Sequence, residues 1–318
     1  HHFSERRMDN PVVLGVDFGG SKVAVAAADG AGTRLGSATI AVRPDDSAQR
    51  TFDRGIAAAH DLLNEVATGR TLVAVGACTF GIPRMDGIDL APNIAGWDRL
   101  AFGDRLRLAF PGADIRMATD VKAAARAEAE HGALAGYDPG LYVNLGTGLA
   151  VAIVSHGEVL TGHHGAAGEI AYNLRERGDD FGAPRLEEAV SGKALAAAAA
   201  ELLDGGDVAA LFEQGESDAH AARICAEFLA ELAYHLVNLT IAIDPARVVV
   251  GGGMVRSWNR LRPTLAAALA GAVPFPPELV LAAYPFDAPL IGALDLATDA
   301  YQLSRTVRPI AHSEGAPA

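Results

Sequence analysis

The sequence predicts an α/β chain of two lobes, each built as a βββαβα unit. Two observations carry that expectation. An apolar run twice reaches a polar residue, then a glycine-rich turn, a second apolar run and a hairpin. The first such stretch spans 12–25, with Asp17 before Gly19-Gly20-Ser21-Lys22 and a closing Asp29-Gly30; the second spans 141–154, with Asn144 before Gly146-Thr147-Gly148 and a closing His156-Gly157. The order of strands and helices then restarts after Asp120. Glycine lets the backbone bend sharply and bring N–H groups against an anion with no Cβ in the way. A duplicated strand–turn–strand unit of this kind points to two lobes closing on one nucleotide, and so to a phosphotransferase.

Taken in order, strands near 12–17, 22–28 and 34–42 form a meander. Phe52, Ile56, Ala59, Leu63 and Val66, spaced by four, three, four and three, mark one face of a helix. A buried-type strand, 72–77, leads to Gly81-Ile82-Pro83, followed by a helix near 98–109 and a short strand at 114–118. After Asp120 an alanine-rich helix (123–131) precedes the second meander at 141–161. Helices are expected at 187–203 and 219–243, the latter stopped by Asp244-Pro245. A strand at 247–250 enters Gly251-Gly252-Gly253, a helix covers 257–270, a strand 279–283, and a last helix 288–303. The domains read as 11–118, 119–287 and a final helix, 288–305, packing back toward the first lobe. Residues 1–10 read as a tag remnant and start at Met8, and 306–318 as a disordered tail. Two such units make the actin-like (ribonuclease H-like) ATPase fold of sugar kinases, heat-shock ATPases and actin, with ATP between the lobes.

Composition bounds the function. A chain of 318 residues, half of them apolar, exceeds one ordinary core. No run of eighteen uninterrupted apolar residues and no signal peptide are visible, so the expectation is a cytoplasmic protein with no membrane partner. Two cysteines, Cys78 and Cys225, make neither a disulfide framework nor a four-cysteine zinc site. The net charge of −13 argues against nucleic acid as a partner. Neither a Walker motif nor a complete Gly-x-Gly-x-x-Gly occurs, which disfavours other nucleotide folds.

Asp17-Phe18-Gly19-Gly20-Ser21-Lys22 resembles the first phosphate motif of the ROK (repressor, open reading frame, kinase) family, which includes bacterial glucokinases. The resemblance continues, in the family's order, through Gly81-Ile82-Pro83, Asn93-Ile94-Ala95-Gly96-Trp97, Thr119-Asp120-Val121-Lys122-Ala123-Ala124, Leu145-Gly146-Thr147-Gly148, Ala167-Gly168-Glu169-Ile170, Leu186-Glu187 with Ser191-Gly192, and Gly251-Gly252-Gly253. It implies an ATP-dependent kinase (EC 2.7.1.-) that uses Mg²⁺, with Asp120 as general base for a sugar's primary hydroxyl. On composition alone, Asp120 reads rather as an N-cap for the helix at 121–131, and its place among the other motifs reverses that preference. The resemblance further implies that Asp17, Gly19, Gly20, Ser21, Lys22, Gly146, Thr147 and Gly148 serve the phosphates and Mg²⁺, and that Gly251, Gly252 and Gly253 make room for adenosine. Gly81, Asn93, Thr119, Asp120, Glu169, Tyr172 and Glu187 would meet the sugar. Family members are often homodimers, and the same is expected here.

Departures from the family pattern fall in the sugar site. Family glucokinases usually have Asn-Asp where this chain has Thr119-Asp120, and Tyr172 stands where a zinc-binding, sugar-contacting histidine is usual. The cysteine-rich zinc loop is replaced by residues 178–185, so no structural zinc is expected; His163-His164, adjacent in sequence, point in different directions. Asp120, Glu169 and Glu187 give a negative field suited to a neutral or cationic polyol. Glucose or an aminohexose of the kanosamine type fits this best, and a C7-cyclitol of the valiolone type in antibiotic biosynthesis is the alternative. N-acetylmannosamine and a non-catalytic sugar-binding protein rank below. A repressor of the family would carry an added helix-turn-helix domain, and the first strand begins four positions after Met8.

Overall fold

The computed structural model describes residues 10–91, 94–203, 205 and 207–306. The chain divides into two compact units, one running up to Asp120 and resuming at Ala293, the other Val121–Gly292.

The first unit contains β1 (Pro11–Phe18), β2 (Lys22–Asp29), β3 (Arg34–Ala41), α1 (Ala48–Val66), β4 (Thr71–Thr79), the short pair β5 (Ile82–Pro83) and β6 (Ile88–Asp89), α2 (Phe102–Ala109) and β7 (Asp114–Thr119). Its sheet runs β3-β2-β1-β4-β7. The meander β1–β3 is antiparallel, while β1, β4 and β7 are parallel. Alternation along β1 turns Phe18 to the face opposite Asp17. Phe18 stacks on Phe52 with centroids 5.1 Å apart and meets Phe102 edge-on at 5.4 Å. This aromatic core fixes the end of β1. Ser47 starts α1 by accepting the Arg50 N–H, and Phe52, Ala59 and Leu62 bury its inner face.

The second unit holds α3 (Asp120–His131, beginning on the last residue of the first unit), β8 (Gly140–Leu145), β9 (Leu149–Ser155), β10 (Glu158–Val159), α4 (Leu186–Ala189), α5 (Gly192–Leu202), α6 (Val208–Gln214), α7 (Ala219–Ile243), β11 (Arg247–Gly251), α8 (Trp258–Ala272) and β12 (Glu278–Leu281). Its sheet runs β10-β9-β8-β11-β12, with β8, β11 and β12 parallel. A final helix, α9 (Ala288–Thr306), starts in this unit and ends in the first. Its backbone lies directly on β4: a Cβ at Gly76 would come 1.8 Å from the Ala293 carbonyl oxygen. The fully buried Glu128 joins α3 to the segment after β12, accepting backbone N–H groups from Ala283 and Tyr284 at 3.1 and 2.7 Å.

Three local expectations change. The helix expected over 187–203 is two, because Val190 leaves the helical region and the Ser191 side chain caps a new helix, beginning at Gly192, by accepting the Ala194 N–H. A further helix, α6, appears where no periodicity was read, capped by Asp207. A 3-10 turn, Gly253–Ser257, precedes α8. Helix α7 is also the one helix among the described residues long and apolar enough to cross a bilayer, although Cys225, Phe228, Leu232 and Leu236 place one face in the core.

Candidate active site

In the first unit, three parallel strands end side by side. Register aligns Asp17 with Cys78 and Ala118, and Phe18 with Thr79 and Thr119. Open α/β sheets bind ligands outside such carboxyl ends. Asp17 is 8% exposed, and its Oδ1 accepts a hydrogen bond from the Cys78 thiol at 3.4 Å. Burial pushes the Asp17 carboxyl up to about 6, against the thiol bond and the nearby Lys22 charge, which both lower it. Burial likewise pushes the Cys78 thiol well above its usual range, with Asp17 and then Asp120 adding to the effect. Both carboxylates therefore act on the one sulfur between them. Asp120 opens α3, partly buried, directly after the buried Thr119.

The turn after β1 closes on itself, with the Gly19 N–H donating to the Lys22 carbonyl at 2.9 Å. A Cβ at Gly20 would meet no atom within 4 Å, so this face of the turn is open. At the end of β4, Thr79 Oγ1 accepts from Trp97 Nε1 at 2.8 Å and donates to the Phe80 carbonyl. Gly81 has φ +79°, and a Cβ there would lie 2.8 Å from the Asp89 carbonyl, so only glycine makes this turn. Asn93 lies outside the described residues.

In the second unit the turn of residues 146–148 is held from outside. The N–H groups of Gly192 and Lys193, at the start of α5, donate to the Gly146 and Thr147 carbonyls at 2.8 and 3.2 Å. Glu187 Oε2 accepts the Leu149 N–H at 2.9 Å, and a Cβ at Gly148 would come 2.5 Å from that oxygen. One oxygen of Glu187 is thereby committed to the turn. Glu169 follows Gly168, whose φ of +88° and whose contact with the Val151 carbonyl leave no room for a side chain. Lys122, 6% exposed, brings its Nζ 3.9 Å from Glu169 Oε1. Burial raises the Glu169 carboxyl above its usual range; Lys122 opposes this and Glu187 adds to it.

Tyr172 ends a 3-10 turn and stacks on Phe181 with parallel rings 6.3 Å apart. Its hydroxyl accepts from Arg185 Nη1 at 3.3 Å. The loop from 174 to 185 is pinned twice more, by the two-pronged Arg175–Glu231 pair at 2.6 and 3.0 Å and by Asp179, which accepts the Arg175 and Glu176 N–H groups. His163 and His164 are exposed and meet edge to face, with centroids 4.5 Å apart. Among the glycines after β11, Gly251 faces the Tyr142 hydroxyl, 2.2 Å from where its Cβ would be, and Gly252 has φ +90°. Arg256 lies over the Phe286 ring at 4.4 Å, beside Gly253.

Sequence reading singled out Asp17, Asp120, Glu169 and Glu187 but gave no site role to their neighbours Cys78, Lys122 and Arg185. Each of these meets its partner across elements, with no local spacing to announce it.

The ROK family model matches residues 13–300. The chain belongs to the ROK family. A ROK hexokinase from Thermus thermophilus aligns over 93% of this chain and 99% of that one, at 28% identity and a TM-score of 0.75. A ROK family glucokinase from Streptomyces griseus, solved with glucose and AMPPNP, aligns over 91% and 99%, at 27% identity and a TM-score of 0.72. An N-acetylmannosamine kinase of Escherichia fergusonii is 34% identical over 164 residues, 49% of this chain and 56% of that protein. The chain spans only 35% to 62% of the length of the curated relatives it matches. The two carboxylates around Cys78 and the two glycine turns all fall within the matched ROK span.

Proposed function

We propose that this ROK protein transfers the γ-phosphoryl group of ATP to the primary hydroxyl of a hexose or aminohexose. Asp120 takes the hydroxyl proton as that oxygen bonds to the γ-phosphorus; the bond from phosphorus to the bridging oxygen breaks, and ADP leaves carrying that oxygen. The observation that carries the reading is the pair of carboxylates, Asp17 and Asp120, acting on one buried thiol at the carboxyl ends of β1, β4 and β7.

The residues present fit the nucleotide and its metal. Asp17 is a buried carboxylate that accepts a weak hydrogen bond from a thiol, a hard oxygen ligand suited to Mg²⁺. The open face at Gly20 is a place for phosphate oxygens. When bound, Mg²⁺ supplies charge neutralisation of the phosphates. In the first unit we assign Ser21 and Lys22 to the phosphates and Gly81, Asn93 and Thr119 to the sugar. In the second unit, taken by itself, we assign Gly146, Thr147 and Gly148 to the phosphates, Gly251, Gly252 and Gly253 to the adenosine, and Glu169, Tyr172 and Glu187 to the sugar. In the glucokinase of S. griseus the solved complex holds glucose and AMPPNP, which supports the same ligand classes here.

The matching order of the two sheets supports a duplicated βββαβα unit and thus the full actin-like fold. The loop from 174 to 185, fastened by Arg175, Asp179 and Arg185, supports a site that folds without zinc. A homodimer remains the expected assembly. A second reading, N-acetylmannosamine as acceptor, is favoured by the 34%-identical relative.

The test is an ATP-consumption screen over glucose, glucosamine, kanosamine, N-acetylmannosamine and valiolone. The proposal expects magnesium-dependent consumption with a hexose or aminohexose. Consumption with none of them, or equal ATP hydrolysis with no acceptor, would overturn it.

A further inference from the structure

A buried lysine lies beside one of the carboxylates assigned to the sugar. Lys122 is the third residue of α3 and 6% exposed. Burying an ammonium is costly, and the N-terminal turn of a helix, with its partial positive charge, opposes a cation further. An aliphatic side chain would fill the same space without either cost. Lys122 meets Glu169, with Nζ and Oε1 3.9 Å apart. Residues that break a local rule while facing a site are candidates for function rather than stability.

The second carboxylate has a cation too. Arg185 is kept charged, against burial, by the Tyr172 hydroxyl, by Glu188 and by Glu187. It is 27% exposed and fixed by the Tyr172 bond, so it is not a loose surface charge. Glu187 also gives Oε2 to the Leu149 N–H. Glu169 thus faces a cation before any ligand arrives, while Arg185 pairs with Glu188 and feels the Glu187 charge more weakly.

We infer that Lys122 is a specificity-determining residue that makes the sugar site select a neutral hexose over one carrying an ammonium group. The inference rests on the hexose-kinase reading and narrows it. With Glu169 shared between Lys122 and the substrate, its carboxylate accepts hydrogen bonds from hydroxyls, while Lys122 repels a second cation placed beside it. Remove the lysine charge, and Glu169 becomes a counter-ion for an amino sugar.

The experiment measures kcat/KM for two matched pairs, glucose with glucosamine and mannose with mannosamine, below the pH at which the amines lose their charge. The unmodified protein, Lys122→Met and Lys122→Arg are compared, with thermal melting as a check of folding. Where the methionine variant does not fold, Lys122→Gln takes its place. The expected result is a preference for the neutral sugar in the unmodified protein. In Lys122→Met the amino-to-neutral ratio should rise by about tenfold or more, the size of a one-unit electrostatic bias, while Lys122→Arg keeps the original ratio. A general loss of packing would lower both members of a pair and leave their ratio alone. An unchanged ratio in a working Lys122→Met enzyme, or an unmodified protein that already prefers the amino sugars, overturns the inference and leaves the kinase reading standing. No transfer to any of the four sugars by the unmodified protein overturns this inference, and the hexose reading then stands or falls on the wider ATP-consumption screen.

Discussion

The two glycine turns have the same sequence logic but are held in opposite ways. The turn of residues 19–22 closes on its own backbone, presents an open face at Gly20, and sits beside the charged pair Asp17 and Lys22. The turn of residues 146–148 carries no ionisable side chain; it is clamped by the first N–H groups of α5 and backed by Glu187. Under the proposed function, labour divides between the two turns: that of residues 19–22 supplies charge beside a buried carboxylate, and that of residues 146–148 supplies position, held by the helix packed against it.

That division can be broken at several points. The largest effect is expected at Asp120: Asp120→Asn should lower kcat by roughly 10²–10⁴ with the fold intact, the usual scale for a positioned general base. Steady-state turnover on the true acceptor checks it.

Asp17 gives an effect of opposite sign on stability and activity. Its folded pKa of about 6 lies above the ordinary 3.8, so the folded protein holds a proton that the unfolded chain releases. Stability therefore falls as pH rises through the window from about 3.8 to about 6, and above it the charged, buried group costs about 3 kcal/mol in the metal-free protein. Asp17→Asn should lose turnover yet unfold at higher denaturant at pH 7, with the gain shrinking toward pH 4. Urea unfolding across that range would show it; a less stable variant at pH 7 would contradict the charge-bearing role of the first turn.

At the second turn the change is one of packing. A Cβ at Gly192 would lie 2.4 Å from the Gly146 carbonyl oxygen. Gly192→Ala should cost about 1–3 kcal/mol, the range for overpacking, with no pH dependence of its own. The smallest effect belongs to the loop from 174 to 185. Arg185→Ala should cost only about 0.5–1 kcal/mol through the lost contact with Tyr172. Metal analysis should find no stoichiometric zinc, and a chelator should leave the melting temperature unchanged.

Much of this was legible in the sequence because the signals are local. Strand periodicity and glycine turns gave β1, β2, β8 and β9, and Asp120 stood at a strand–helix junction that the structure keeps. The break at Val190 was visible in principle, since Ser191 followed by Gly192 is a helix start; the alanine run beyond it hid the boundary. The charge balance was not legible. Lys122 meets Glu169, and Arg185 meets Tyr172, across turns whose course depends on the positive φ of Gly168 and on the packing of the loop from 174 to 185. Cys78 carried no local signal beyond the cysteine count, and the register of β1 against β4 brings it to Asp17.

The division of labour is tested most directly by titrating a non-hydrolysable ATP analogue with Mg²⁺ into Asp120→Asn and Gly192→Ala by calorimetry. The account predicts that Asp120→Asn binds within about twofold of the unmodified protein, because its role is confined to the transfer step. Gly192→Ala should bind roughly 10- to 100-fold more weakly, because the displaced turn mispositions its phosphate-facing groups. Unweakened binding in Gly192→Ala, or equal weakening in both variants, would contradict it.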